Sequence, residues 1–156
     1  MIIEASNAQA VETCTPLSVA LKRDIAWAGG KAANLGEMIN AGIPVPDGFV
    51  VATSAYRAFM IEHDLDEMAR EALTGVDIQD SVELASSASD IRQRIVSKNI
   101  SPDLASDILQ KYTSLEKGLV AARSSATAED MDNGSFAGQQ DTYLDVEGAV
   151  ELIGAV

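Results

Sequence analysis

The apolar pattern changes its period along the chain, and this change restricts the fold more than any other feature of the sequence. Residues 84–95 carry apolar side chains at helical spacing, and so do residues 104–115. Residues 119–122 form instead a short apolar run, and residues 141–146 alternate between polar and apolar side chains. The first pattern is typical of amphipathic helices and the second of strands. The chain is therefore predicted to fold as a mixed α/β (α+β) domain.

Glycine and proline mark the ends of a helix in the first third of the chain. Gly30 follows another glycine and opens a helical pattern, Gly42 is placed to end it in the left-handed conformation, and Pro44 prevents its continuation. Residues 48–52 are predicted to form a short apolar strand, followed by Thr53 as the N-cap of a further helix. Upstream, residues 16–21 are expected to be a short strand or an entry segment.

The middle of the chain is predicted to be a helical hairpin inserted into the fold. Asp80 and Glu83 have the spacing of a capping box, and Pro102 suits the first position of a second helix. The connection at 98–100 is short enough for these two helices to pack against each other as neighbours. The helix that starts at residue 148 is still apolar at residue 156, so we expect the 156 residues to be a fragment of a larger enzyme.

Composition excludes several classes of partner. The chain carries 24 acidic and 11 basic side chains, a net charge of −13, whereas nucleic acids and anionic membranes are bound mainly through excess Lys and Arg. No apolar run approaches the roughly 20 residues needed to cross a bilayer.

Cys14 is the only cysteine and is expected to be packed and unreactive, which fits a cytoplasmic protein. Residues 1–14 are expected to lack fixed structure.

The first candidate site is the sequence Gly-Gly-Lys-Ala-Ala-Asn-Leu-Gly at residues 29–36. Two glycines at a helix entrance allow close approach of a ligand, the first-turn N–H groups can face an anion, and Lys31 adds a positive charge. The segment is not a Walker A loop, because Ile25 occupies the position of the first glycine and Ala32 that of the Ser/Thr that binds magnesium. The alternative is an exposed lysine on a glycine-capped helix.

The second candidate site begins at Arg123, where an apolar strand runs into a loop of small residues that extends to residue 140. The planar guanidinium suits phosphate oxygens, and Ser, Thr, Ala and Gly let the backbone come close to a ligand. The alternative is a surface loop in which Arg123 pairs with Glu129 or Asp130. These two acids and Asp132 could also be imagined as magnesium ligands, but an exposed acidic loop explains them equally well.

His63 is the only histidine and has acidic neighbours. Without a cysteine or a second histidine nearby, it is interpreted as part of a solvated helix end rather than as a catalytic or metal-binding residue. The acids of this region are interpreted as a solvated helix face. They are Glu62, Asp64, Asp66, Glu67 and Glu71.

Taken together, the two candidate sites resemble one family. Residues 29–38 with 41–50, and residues 120–130 with 135–142, are similar to the nucleotide-binding domain of the pyruvate phosphate dikinase / phosphoenolpyruvate synthase family, which is shared with rifampicin phosphotransferase. The second block reads Val-Ala-Ala-Arg-Ser-Ser-Ala-Thr-Ala-Glu-Asp and then Ser-Phe-Ala-Gly-Gln-Gln-Asp-Thr. Dikinases usually carry a Gly/Met-rich sequence after the Arg-Ser pair, so the resemblance favours the synthase branch.

The resemblance implies that the chain is a truncated N-terminal lobe of an ATP-grasp fold. In that family, residues like Lys31 and Arg123 contact the phosphates of ATP and carry the catalytic role assigned here, and the loop with Gly138, Gln139 and Thr142 closes on the nucleotide. The second lobe, the ligands of Mg²⁺, the phosphocarrier histidine and the pyruvate site would lie outside this chain. His63 does not match that histidine.

Three functions are consistent with this resemblance. The first is the ATP-binding part of a phosphoenolpyruvate synthase, which converts ATP, pyruvate and water into AMP, phosphoenolpyruvate and phosphate through a phosphohistidine. The second is the same lobe of an antibiotic phosphotransferase, and the third is a non-catalytic regulatory or interaction module. The isolated chain is expected to bind ATP weakly and to be inactive, whereas a product that does not respond to ATP would favour the third function.

Overall fold

In a computed structural model, which describes residues 12–115, 118–127 and 142–156, the chain divides into two units. The first contains the described residues up to Ser54 and from Asp103 onward, and the second is Ala55–Pro102. The strands are β1 (Cys14–Pro16), β2 (Phe49–Val51), β3 (Leu119–Arg123) and β4 (Thr142–Glu147). The helices are α1 (Ile25–Ala28), α2 (Gly30–Asn40), α3 (Thr53–Glu62), α4 (Leu65–Leu73), α5 (Ser81–Val96), α6 (Pro102–Ser114) and α7 (Gly148–Ala155). This mixture of helices and small sheets agrees with the predicted class.

The first unit begins with an antiparallel pair of strands, β1 and β2, in which Cys14 lies opposite Val51. Cys14 is buried, so the expectation of an unstructured segment up to residue 14 fails at this position, while residues 1–11 lie outside the described part. Of the two alternatives predicted for 16–21, a short strand or an entry segment, the strand is wrong, because Leu17–Val19 forms a 3₁₀ turn. Pro16 has no N–H with which to continue a ladder, and the chain turns directly after it.

Small side chains form the core beside α2. The buried residues Ala20, Ala28, Ala32 and Val50 pack together, with Leu17 and Trp27 partly buried against them. Helix α2 can approach the preceding segment closely because Gly36 has no side chain. A Cβ atom at this position would lie 1.7 Å from the carbonyl oxygen of Ala20.

The predicted end of α2 is confirmed. Gly42 has a φ of +75°, its N–H donates to the Ile39 carbonyl, and the N–H of Ile43 donates to the Met38 carbonyl. These two hydrogen bonds are the pair that defines a Schellman motif, which satisfies carbonyls that the helix end would otherwise leave without a donor. Thr53 was predicted to be the N-cap of the following helix. Instead it is the first residue of α3, and its hydroxyl donates to the Ala26 carbonyl.

The second sheet of the first unit is an antiparallel pair of β3 and β4, both predicted from the sequence. The pairing shifts register between Val120 and Ala122, opposite a part of β4 in which Asp145 has a φ of +55°. Strand β3 was expected to be buried, yet it alternates between half-buried and exposed residues. The Tyr112 hydroxyl of α6 donates to the Gly118 carbonyl and accepts a hydrogen bond from the Gly148 N–H. These two bonds connect α6 to the residue before β3 and to the residue after β4.

The second unit contains α4 and α5, which pack against each other. Asp80 caps α5 as predicted, its carboxylate accepting hydrogen bonds from the N–H groups of Val82 and Glu83. The capping box is not completed, because the Glu83 carboxylate accepts instead from the Asp77 N–H. The predicted hairpin of α5 with the following helix is divided between the units: α5 belongs to the second, and α6 continues into the first. Among the described helices, none has the length and apolar character required to span a bilayer.

Candidate functional site

The two candidate sites of the sequence meet in the first unit, at the junction of α1 and α2. Gly29 separates these helices with a φ of +79° and a ψ of 165°, a conformation that is essentially restricted to glycine. A Cβ atom on Gly29 would lie 2.0 Å from the carbonyl oxygen of Ser125 and 2.4 Å from its Oγ. The loop that follows β3 therefore occupies the space that a side chain at this position would need.

Two hydrogen bonds join these segments, one between backbone groups and one to a side chain. The Gly30 N–H donates to the Ala126 carbonyl at 3.0 Å, and the Ala32 N–H donates to the Ser125 hydroxyl oxygen at 3.0 Å. We expected the first-turn N–H groups of α2 to face a bound anion. Two of these donors are already paired inside the protein, so they are not available for that purpose in this conformation.

Lys31 lies between the two paired residues, in the first turn of α2, and is half-buried. Arg123 is the last residue of β3 and is exposed. Only one residue separates it from Ser125, which contacts Gly29. The backbone segments that carry both predicted cations thus belong to one hydrogen-bonded arrangement, although their contact with a phosphate stays a prediction.

Thr142 is placed beside Arg123 by the second sheet. The two residues are paired across β3 and β4, and directly opposite residues of an antiparallel pair have Cβ atoms about 4.5–5.5 Å apart on one face of the sheet. The remaining members of the predicted set, Gly138 and Gln139, lie outside the described residues. A guanidinium, an ammonium group and a hydroxyl are a donor set suited to phosphate oxygens.

No group of three or more His, Cys, Asp and Glu side chains able to hold a metal ion occurs within 12–115, 118–127 and 142–156. The acids discussed as magnesium ligands, Glu129, Asp130 and Asp132, lie outside these ranges. His63 has an interaction in the second unit: its Nε2 is 3.1 Å from the Asn99 carbonyl oxygen, and its ring packs edge-on against Phe59 at 4.9 Å. These contacts favour a structural role.

Cys14 is unsuited to chemistry at neutral pH. Its side chain is only 2% exposed, and burial, reinforced by the negative charge of Asp107, raises the pKa of the thiol from its ordinary value of 9.0 to about 11; Lys111 opposes the shift. Since the thiolate is the reactive form, the expectation of a packed, unreactive cysteine is supported.

The role of Ser125 does not follow from the sequence pattern in which it occurs. It appears there as one of several small residues in a loop, and its contact with α2 spans 93 positions. One signal does point to it in retrospect. A helix whose N-cap is Gly29 has no capping side chain of its own, so another part of the chain can supply one.

Comparison with known proteins identifies relatives of this chain. The family described as "Pyruvate phosphate dikinase, AMP/ATP-binding domain" matches residues 25–156. A probable phosphoenolpyruvate synthase from Methanocaldococcus jannaschii is 41% identical in an alignment of 159 positions that covers 98% of this chain and 13% of that protein. A probable phosphoenolpyruvate synthase from Methanothermobacter thermautotrophicus is 43% identical over 85% of this chain and 20% of its own length. The phosphoenolpyruvate synthase of Pseudomonas aeruginosa is 41% identical over 85% of this chain and 18% of its own length.

The chain thus spans a fifth or less of the length of these three relatives. The family match includes α2 with Lys31 and β3 with Arg123, the two elements joined through Ser125. The resemblance seen in the sequence is confirmed. The chain belongs to the pyruvate phosphate dikinase AMP/ATP-binding domain family.

Proposed function

We propose that this chain is the ATP-binding part of a phosphoenolpyruvate synthase, in the form of an N-terminal ATP-grasp lobe of a larger enzyme. The observation that most supports the proposal is the pair of hydrogen bonds between the start of α2 and the loop after β3. They join the segments of Lys31 and Arg123, which the sequence separates by 92 positions. The three relatives are named as phosphoenolpyruvate synthases, two of them as probable ones, which favours the synthase over an antibiotic phosphotransferase.

The proposed reaction of the complete enzyme converts ATP, pyruvate and water into AMP, phosphoenolpyruvate and phosphate, with a histidine of another domain carrying the phosphoryl group. Lys31 and Arg123 would bind the phosphate tail of ATP. Their positive charges would also stabilise negative charge on the transferring group, which is the main contribution that a protein makes to phosphoryl transfer. Thr142, together with Gly138 and Gln139, would orient the nucleotide through hydrogen bonds.

Mg²⁺ would neutralise part of the phosphate charge, with ligands from outside this chain. An acidic chain particularly needs such local compensation, because a net charge of −13 repels a polyanion at long range. The isolated chain would hold ATP weakly and would not catalyse phosphoryl transfer. Without the opposite lobe, the phosphate contacts remain in water, where charge interactions are screened.

The test is the variant Arg123→Ala in the full-length enzyme, measured by ATP-dependent phosphorylation. A lost hydrogen bond to a charged group costs about 1.5–3 kcal/mol, so we expect turnover or ATP affinity to fall about 10- to 150-fold. Arg70→Ala is the matched control, since Arg70 is an exposed arginine of the second unit that pairs with Glu67 at 3.1 Å. Near-normal phosphorylation by Arg123→Ala would reject the assigned role. A full-length protein that neither binds ATP nor is phosphorylated by it would favour the non-catalytic module.

A further inference from the structure

Ser125 makes a contact that differs from those of an ordinary loop serine. It is half-buried, and its Oγ accepts the hydrogen bond of an amide 93 positions earlier, the Ala32 N–H at 3.0 Å. Ala32 is the third residue of α2, where a capping side chain normally accepts a hydrogen bond. Ser125 therefore caps α2 from a distant part of the chain.

The neighbouring contacts fix this cap in place. The Ala126 carbonyl accepts the Gly30 N–H at 3.0 Å, so consecutive residues of one loop hold the residues on both sides of Lys31. The absence of a side chain at Gly29 lets the Ser125 backbone approach closely. Movement of the loop relative to the first turn of α2 would break both hydrogen bonds.

This arrangement relates Ser125 to both predicted cations. Lys31 is carried by the helical turn that Ser125 caps, and Arg123 is two residues before Ser125 in the same chain segment. The backbone distance between these two cations therefore depends on the Ser125 hydroxyl, whereas neither cation needs to touch it. Charge-assisted hydrogen bonds to phosphate lose strength when their geometry is disturbed.

We propose that Ser125 is a positioning residue for ATP, which holds the turn of Lys31 against the strand end of Arg123. The inference rests on the proposed function. It assigns Ser125 no contact with the nucleotide: its hydroxyl acts through the Ala32 amide. Removing the hydroxyl should weaken the binding of ATP even when the fold is intact.

The experiment uses the 156-residue chain and ATP titrated into the millimolar range, followed by amide NMR signals. In S125A we expect ATP affinity to fall about 5-fold and the Ala32 amide to exchange about 5-fold faster, the size expected for one capping hydrogen bond. S125C keeps the size of the side chain but is a poor acceptor, so it should behave similarly if S125A fails to fold. S125T retains the hydroxyl and should restore affinity toward that of the unsubstituted chain.

S114A is the matched control, because the Ser114 hydroxyl donates to the Lys111 carbonyl within α6. It should leave ATP affinity unchanged. Faster Ala32 exchange with unchanged ATP affinity in folded S125A or S125C would overturn the positioning role and leave the proposed function intact. If the unsubstituted chain gives no ATP-dependent signal changes at millimolar concentrations, the positioning role of Ser125 in ATP binding by this chain is rejected, whereas the proposed function is decided separately by phosphorylation in the full-length enzyme.

Discussion

Gly29 combines two constraints that are usually met separately. Its backbone conformation excludes other residues, and the space beside its Cα is filled by Ser125. Because the second constraint involves a residue 96 positions away, it links the local geometry of a helix junction to the tertiary arrangement of the candidate site. Glycine is required here by the protein itself, whether or not a ligand also approaches.

Gly29→Ala should therefore be more costly than replacement of a glycine that is constrained only by its φ. We expect a loss of about 2–5 kcal/mol, from an unfavourable backbone conformation and from the displacement of Ser125. Gly42→Ala is the control, since Gly42 also has a positive φ, of +75°, but has no atom within 4 Å of the added Cβ. It should cost about 1–2 kcal/mol.

Urea unfolding followed by the fluorescence of Trp27, the only tryptophan of the sequence, measures both variants. Trp27 packs against the core of the first unit, two residues before Gly29. Equal losses in the two variants would contradict the close approach of Ser125.

Cys14 should make the first unit sensitive to alkaline pH. Its folded pKa of about 11 exceeds the ordinary 9.0, so between these values the unfolded chain releases a proton that the folded chain retains. The stabilisation is complete below pH 9 and is lost as the pH rises toward 11. It amounts to about 1.4 kcal/mol for each unit of pKa difference.

The measurement is the free energy of unfolding between pH 8 and pH 11 for the unsubstituted chain and for Cys14→Ala. Other groups also titrate in this range, but they contribute equally to both proteins. The difference between the two curves should therefore change between pH 9 and pH 11. A constant difference would show that the folded and unfolded thiols titrate alike.

At the scale of single elements, α2 is positioned by a glycine within its own length. Gly36 lies in the helix interior, where alanine is normally preferred by about 1 kcal/mol. Here the preference should be reversed, because a Cβ atom would lie 1.7 Å from the Ala20 carbonyl oxygen and 2.6 Å from that of Leu17. Both obstacles are backbone atoms, which cannot rotate away as a flexible side chain could.

Gly36→Ala should lower the free energy of unfolding by about 1–3 kcal/mol despite the better helix former. Gly154→Ala tests the opposite case, since Gly154 lies in α7 with no atom within 4 Å of the added Cβ. That variant should gain up to about 1 kcal/mol. Unfolding followed by circular dichroism compares them, and a stabilised Gly36→Ala protein would contradict the packing of α2 against the 3₁₀ turn.

The elements that the sequence predicted well are those defined by local signals. Gly42 ended α2 because a left-handed residue is needed there, and Asp80 capped α5 through its own neighbouring N–H groups. The failures involve interactions between distant segments. Thr53 uses its hydroxyl for the Ala26 carbonyl, and Ser125 caps a helix 93 positions away, neither of which a local window can reveal.

At the scale of the whole molecule, the proposed site belongs to one unit. Lys31, Ser125, Arg123 and Thr142 all lie in the first, although they come from the two ends of the chain that flank Ala55–Pro102. The motifs predicted which residues could bind phosphate, and the family resemblance predicted that these residues belong to one nucleotide site. The hydrogen bonds of Ser125 and Ala126 with the start of α2 could not be predicted from the motifs, because they depend on the absence of a side chain at Gly29.

This division predicts where ATP acts. In amide NMR spectra of the 156-residue chain, ATP should shift signals in the first turn of α2 and around Arg123 and Thr142, while signals within α4 and α5 stay in place. Adenosine is the control ligand: it lacks the phosphates that the two cations would bind, so its shifts at Lys31 and Arg123 should be much smaller.

Lys31→Ala should reduce the signal shifts caused by ATP, because it removes one of those cations. Equal shifts from ATP and adenosine would reject phosphate recognition by these residues, and shifts confined to α4 and α5 would place the nucleotide in the second unit instead.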